Sequence, residues 1–373
     1  MRFLPAVASL LSGAALAATI TVVVPPDAKV ETLERKAGKT GPVTVLVDKG
    51  TTVVRQEAGA TPSPDPAPTS DFDTRKMATG VVRWFDFDTA AQLGGTYTAN
   101  FGRLGSRPVI DTDVKASGAG SIRFDVAAQT TDDTHAWFTN FSPTLEQFGA
   151  GDTFYVQWRQ RFNQAFVDTI LKAADGTNQG GIKQAIIGAG AYGTSDGGSS
   201  SYATSCSQND LVVQSYYQSR FPIVYHNCGL YQGLYEVIGG GTDFGLQNAM
   251  PSPYCRYTNG AGCFRWVANE WLTFKMMVAL GPLVNGKYTN STVKFWGARE
   301  GQPSKLLVDW KPTTPGYFPL VATDSSAPGG IVKFGKIWLT PYMTDKSRTQ
   351  THPLLQTWYD DLIISRADIA DPK

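Results

Sequence analysis

Few residues in this chain carry acid–base chemistry. Only three histidines occur in 373 residues. His226 directly follows Tyr225, stands two residues before Cys228, and comes after the short run that contains Gln214. An imidazole and a phenol held side by side can take up and return a proton near neutral pH. His135 and His352 read as loop residues. Retaining hydrolysis of a glycosidic bond needs two carboxylates about 5 Å apart on one strand face. The seven glutamates (Glu31, Glu34, Glu57, Glu146, Glu236, Glu270 and Glu300) include no such pair. Asp360 and Asp361 are adjacent, so in a regular strand they face opposite sides. Hydrolysis of that kind is therefore disfavoured.

Strands are the elements that must position these groups. Between Val81 and the C-terminus, short runs of alternating apolar and polar residues recur between glycine, asparagine and proline turns. The clearest is Phe154 to Phe162. Phe154, Val156, Trp158 and Gln160 point one way; Tyr155, Gln157, Arg159 and Arg161 point the other. Further strands are expected at 121–126, 181–187, 211–217, 271–280, 292–299, 330–339 and 358–365. No stretch of twelve residues carries an apolar stripe at helical spacing. Many antiparallel strands in one domain make a two-sheet sandwich or a barrel. A face of tyrosine, glutamine and arginine suits sugars, because rings stack on pyranose C–H surfaces while planar amides and guanidiniums bond hydroxyls.

The N-terminus has the pattern of an export signal. Arg2 precedes an apolar stretch from Phe3 to Leu16, and Ala15-Leu16-Ala17 offers a cleavage site. Residues 1–17 are thus expected to be a signal peptide, which places the mature chain outside the cell or in a periplasm. Residues 18–60 read as a spacer or pro-segment with β-like patches at 19–24 and 43–47. Residues 61–71 are a proline-rich linker, and 78–373 form the main domain. The apolar run is too short to span a bilayer, so no membrane segment is expected after cleavage. A net charge of +1 and the lack of a basic cluster interleaved with aromatics argue against nucleic acid.

Cys206, Cys228, Cys255 and Cys263 form an even set in an oxidising compartment, so disulfides are expected. Three pairings are open. The local one, Cys206–Cys228 with Cys255–Cys263, is preferred because each bridge closes a short excursion between strands. Zinc is disfavoured by the absence of any Cys-x-x-Cys pair.

Three stretches together resemble a known superfamily. They are 181–188 (Gly-Ile-Lys-Gln-Ala-Ile-Ile-Gly), the pair of runs 271–280 and 291–300, and the ending Trp358-Tyr-Asp-Asp-Leu-Ile-Ile-Ser365. The chain from about 80 to 370 resembles the concanavalin A-like lectin/glucanase superfamily, and within it bacterial jelly-roll polysaccharide lyases. The resemblance implies an all-β, two-sheet antiparallel jelly-roll β-sandwich. It also implies a protein that cleaves an acidic polysaccharide by β-elimination, or a lectin-like protein that binds glycan without cleaving it; the chain is expected to be a monomer.

In such an elimination His226 or Tyr225 would abstract the C5 proton, while Arg159, Lys183 or Gln214 holds the uronate carboxylate. Arg123, Gln184, Tyr155, Gln157 and Arg161 would line the substrate. Ile186 stands where the lyases carry a histidine, and Tyr342 and Tyr359 are the reserve candidates for the base. Replacing His226 is expected to lower turnover and leave stability nearly unchanged. No cofactor is required. A structural calcium ion is a further expectation, at Asp86, Asp88 and Asp361, because the first and last strands of this fold are often neighbours.

Overall fold

The alternating runs become strands in a computed structural model that describes residues 18–23, 52–57, 71–93, 108–130, 137–142, 144, 146–171, 182–189, 210–215, 222–226, 232–233, 264–314, 316–323, 333–343 and 348–373. The chain divides into two units, Met1–Thr69 and Ser70–Lys373. In the first, β1 (Ala18–Val23) pairs antiparallel with β2 (Thr52–Glu57). The expected signal peptide, the patch at 43–47, the proline-rich linker up to Ser70 and all four cysteines lie outside the described residues.

The second unit opens with a short helix, α1 (Asp71–Lys76), that period-two reasoning did not anticipate. There follow β3 (Val81–Phe85), β4 (Val109–Asp111), β5 (Ser121–Val126), β6 (Trp137–Asn140) and β7 (Thr153–Phe162). Next come β8 (Ile182–Ala189), β9 (Leu211–Ser215), β10 (Ile223–His226) and β11 (Gln232–Gly233). Then β12 (Leu272–Ala279), β13 (Leu283–Val284), β14 (Lys287–Tyr288), β15 (Thr292–Ala298) and β16 (Lys305–Trp310). The last are β17 (Leu320–Val321), β18 (Phe334–Leu339) and β19 (Leu355–Ser365).

Two sheets face each other across the core. The larger has the order β16-β15-β12-β7-β19-β5-β4, with β3 also on β19. The smaller runs β11-β10-β9-β8-β18-β6, and a three-stranded patch runs β13-β14-β17. Neighbouring strands are antiparallel, and several are far apart in sequence, such as β8 beside β18. This is an all-β, two-sheet antiparallel jelly-roll β-sandwich.

The core follows from the alternation. Phe154, Val156, Trp158 and Phe162 of β7 are fully buried and meet Phe274, Phe295, Ile187, Leu211 and Ile337 from neighbouring strands and the opposite sheet. Phe274 and Phe295 stack with ring centres 5.7 Å apart. Each such ring removes a large apolar area from water, worth roughly 2–3 kcal/mol. Gln160 is the exception on that inward face. Its Nε2 donates to Gln184 Oε1 at 2.6 Å and to Thr357 Oγ1 at 3.1 Å, so the polar group stays satisfied inside.

Candidate functional site

The outer face of the six-stranded sheet gathers polar and aromatic groups in three rows. A β-bulge between Lys183 and Ala185 makes Gln184 the extra residue of β8. In the first row, β8 puts Lys183 opposite Gln214 of β9, while the Lys183 N–H donates to Tyr342 O at 2.8 Å on the other side. The Lys183 ammonium lies 4.1 Å from the centre of the Tyr342 ring. In the second row Trp338, Ile186, Val212 and Tyr225 are neighbours by strand register. These four are buried yet stand apart from the main core cluster, which places them on the sheet's other side.

The third row contains Lys336, Gly188 and Asp210. A Cβ on Gly188 would stand 2.6 Å from Asp210 Oδ1 and 3.6 Å from Lys336 Cε. Glycine is what lets the two side chains converge there. Of these rows, Lys183 and Tyr342 keep partial solvent access, whereas Gln214 and Tyr225 are about 5% and 4% exposed. A cation, a phenol and an amide in one row can bind an anionic group and move a proton beside it.

His226 corrects the expectation placed on it. Its ring is fully buried, on the inward side of β10. Nδ1 lies 3.1 Å from Asp210 O, and Nε2 accepts the Val321 N–H at 2.8 Å. An accepting Nε2 puts the ring proton on Nδ1, directed at the Asp210 carbonyl. Burial pushes the imidazole down to about 4, with the Asp210 carbonyl pulling slightly the other way. Both nitrogens are spent on backbone, so His226 cannot serve as the base. Gln184 is corrected likewise. It bridges the sheets through Gln160, and its carbonyl accepts from Tyr359 Oη at 2.8 Å and Thr340 N at 3.1 Å. Tyr359, so held and fully buried, is pushed well above the ordinary phenol range by burial.

The remaining expected residues sit on the opposite outer face, that of the eight-stranded sheet. Packed sheets stand about 10 Å apart, so Arg159 and Lys183 cannot hold one carboxylate together. That face is covered by the chain's own segments. Gln157 accepts from Arg75 of α1 and donates to Ala370 O at 2.9 Å. Tyr155 packs on the small apolar cluster of Phe72, Ile363 and Ile369. Arg123 pairs with Asp111 at 2.8 Å and Asp125 at 3.0 Å. Arg159 reaches Glu300 at 3.4 Å and Asp361 at 3.8 Å. The Arg161 side chain makes no hydrogen bond or ion pair with a described residue.

Asp360 and Asp361 also depart from the expected geometry. A bulge in β19 falls between Asp360 and Ile363, and Asp361 takes a φ of 50°. Both carboxylates therefore reach the 116–117 loop. Asp360 Oδ2 accepts from Ala116 N at 2.8 Å, and Asp361 Oδ1 accepts from Ser117 Oγ at 2.5 Å. Burial raises both carboxyls, Asp360 further because the Asp361 charge adds to it. At Asp361 the Ser117 hydroxyl and the Arg75 and Arg159 guanidiniums pull back. Sealed from solvent, the pair cannot reach a glycosidic bond.

The three carboxylates expected to hold calcium are engaged within the chain. Asp86 accepts from Gln92 at 2.6 Å, Asp88 takes the Gly120 N–H at 3.1 Å, and Asp361 is held by Arg75 at 3.0 Å. Among the described residues no group of three or more His, Cys, Asp or Glu could hold a metal ion. Among those residues, too, no helix is long and apolar enough to cross a membrane.

No family model matches the chain, and no curated protein matches it. Among solved structures, it is similar to the PL-14 alginate lyase from Aplysia kurodai at 13% identity and a TM-score of 0.42, over 76% of this chain and 98% of that one. It is similar to the catalytic domain of the glycoside hydrolase family 131 protein from Coprinopsis cinerea at 11% identity and a TM-score of 0.36, over 79% and 98%. The Emp46p carbohydrate recognition domain in its potassium-bound form is similar at 11% identity and a TM-score of 0.30, over 77% and 100%. At these values the fold rests on the sheet order described above, and the function on the residues of the site.

Proposed function

We propose that this chain is an exported lyase that cleaves an acidic, uronate-containing polysaccharide by β-elimination, as a monomer and without a cofactor. The observation that supports it is the Lys183 ammonium 4.1 Å from the Tyr342 ring centre, with Gln214 paired directly across from Lys183. In this elimination the C5–H bond breaks and its electron pair is held between C5 and the uronate carboxylate. The pair forms the C4=C5 double bond as the C4–O bond breaks, and the leaving oxygen keeps that bond's electrons and takes a proton. Negative charge flows onto the uronate carboxylate on the way, so a cation aimed there stabilises the transition state by several kcal/mol.

Lys183 takes that role, with the Gln214 amide as a second donor. Tyr342, as phenolate, accepts the C5 proton and, as phenol, delivers a proton to the leaving oxygen. Tyr342 thus replaces His226, whose nitrogens are committed. The loss of that imidazole also favours a second reading, a lectin-like protein that binds glycan without cleaving it. Export rests on the pattern of residues 1–17.

Incubation with alginate, glucuronan, heparin and pectin, followed by ultraviolet absorbance of unsaturated uronate, tests the proposal. Growth of absorbance on an acidic polymer supports the lyase. Binding without growth at any pH from mildly acidic to alkaline assigns the lectin-like role. Neither binding nor growth contradicts both.

A further inference from the structure

Three segments meet at the His226 ring. Its Nδ1 faces the carbonyl of Asp210 at the start of β9, its Nε2 accepts from Val321 of β17, and the Phe318 ring lies over it with centres 6.3 Å apart. β17 is held from its other side by β14. Lys287 and Tyr288 pair with Val321 and Leu320, and the Ala322 N–H turns to Gly286 O at 2.8 Å. β14 itself is set by the Asn285-Gly286 turn, whose φ values of 48° and 72° are those of a two-residue hairpin turn. Successive N–H groups of a strand point in opposite directions, so Val321 is left facing His226.

We propose that His226 is a positioning residue of the candidate site, an acid-sensitive pin between β17 and the six-stranded sheet. Neutral, it fixes the end of β10 against β9, the two strands that carry Tyr225 and Gln214. Protonated, it must release β17. The reason is donor arithmetic. A proton on Nε2 would face the Val321 N–H with no acceptor between them, turning a bond into a repulsion. Asp210 O still accepts from Nδ1–H, but among the described residues named around the ring none brings a carboxylate to the new Nε2–H. Leu211, in register with His226, is apolar, as are Phe318 and Val321. The Asp210 carboxylate reaches toward Gly188 and Lys336, and Lys287, opposite Val321, is exposed. The effect on turnover rests on the proposed lyase function; the release of β17 does not.

Amide exchange at Val321, followed by nuclear magnetic resonance in wild type and His226→Gln, tests the pin. The glutamine amide keeps one donor and one acceptor but does not titrate. In wild type, protection of the Val321 amide should fall roughly tenfold per pH unit between about pH 6.5 and pH 4 and level off below, where the ring in place is itself protonated. In H226Q it should hold over the same range, and the acid limb of turnover should move to lower pH. Equal loss of protection in both proteins overturns the pin. So does a protected Val321 in wild type while the ring nitrogen shifts report imidazolium. Should H226Q fail to fold, those shifts decide in wild type alone: a neutral Nδ1–H ring at pH 7 supports the pin, and an Nε2–H ring overturns it. If wild type cleaves no polymer at any pH from mildly acidic to alkaline, the lyase proposal falls, and the exchange data still decide the pin.

Discussion

Lys183 and Tyr342 approach each other because the chain beyond β18 continues alongside β8. The Lys183 N–H donates to Tyr342 O, and Ile182 bridges to Met343. The ammonium is thereby stacked on the phenol ring at 4.1 Å, a contact worth roughly 0.5–2 kcal/mol. Residues 159 positions apart are brought together by one strand pairing.

The first prediction concerns charge selectivity. Lys183→Ala should weaken turnover of polyuronates by about a hundredfold or more, the scale of a lost electrostatic stabiliser. Binding to neutral polymers should change far less. Kinetics on charged polymers and binding to neutral ones, with a melting curve to confirm the fold, check this. Equal loss on both classes would argue for a packing role.

His226 should govern acid stability. Its folded value of about 4 lies below the ordinary 6.5. A depressed value means its stabilisation is complete above pH 6.5 and lost as pH falls from there through 4. The span corresponds to about 3 kcal/mol. Urea unfolding of wild type and His226→Gln at pH 7 and pH 4.5 should show the gap between them shift in favour of the variant at the lower pH. Parallel losses would contradict the assignment. His226→Ala should also destabilise strongly at pH 7, since it leaves Val321 N–H and Asp210 C=O buried without partners. This reverses the sequence expectation of unchanged stability.

Strand content was legible in the sequence, and the assembly around the site was not. The alternation in 154–162 named the inward residues of β7 correctly, and the ending at 358–365 proved to lie in the strand that pairs with β3, β5 and β7. Two bulges defeated the face assignments. One extra residue turned Gln184 into the core and brought Asp360 and Asp361 to one loop, and nothing in local composition marks such an insertion. Sheet membership was equally hidden. Arg159 and Lys183 sit in strands of similar pattern, yet on opposite sides of the sandwich. His226 and Val321 are 95 residues apart, so no neighbouring residue signals that the ring is spoken for.

Arg75 and Arg161 should differ sharply on replacement. Arg75 is bonded to Asp71, Gln157 and Asp361, and its side chain is only 3% exposed. Arg75→Ala strands a buried carboxylate and should cost about 3 kcal/mol. Arg161→Ala touches no polar partner among the described residues and should stay within roughly 0.5 kcal/mol. Denaturant midpoints of the two variants check the contrast, and similar losses in both would show that the outer face of the large sheet is misassigned.

The central claim is that Tyr342, beside Lys183, performs the proton transfer. Ultraviolet progress curves on one acidic polymer, run side by side for wild type, Tyr342→Phe and His226→Gln at neutral pH, test it most directly. Phenylalanine keeps the ring under Lys183 and removes only the hydroxyl. The account predicts unsaturated product from wild type and from H226Q, and a fall of about a hundredfold or more in Y342F. Full activity in Y342F, or loss of activity in a folded H226Q with Y342F unaffected, would contradict it.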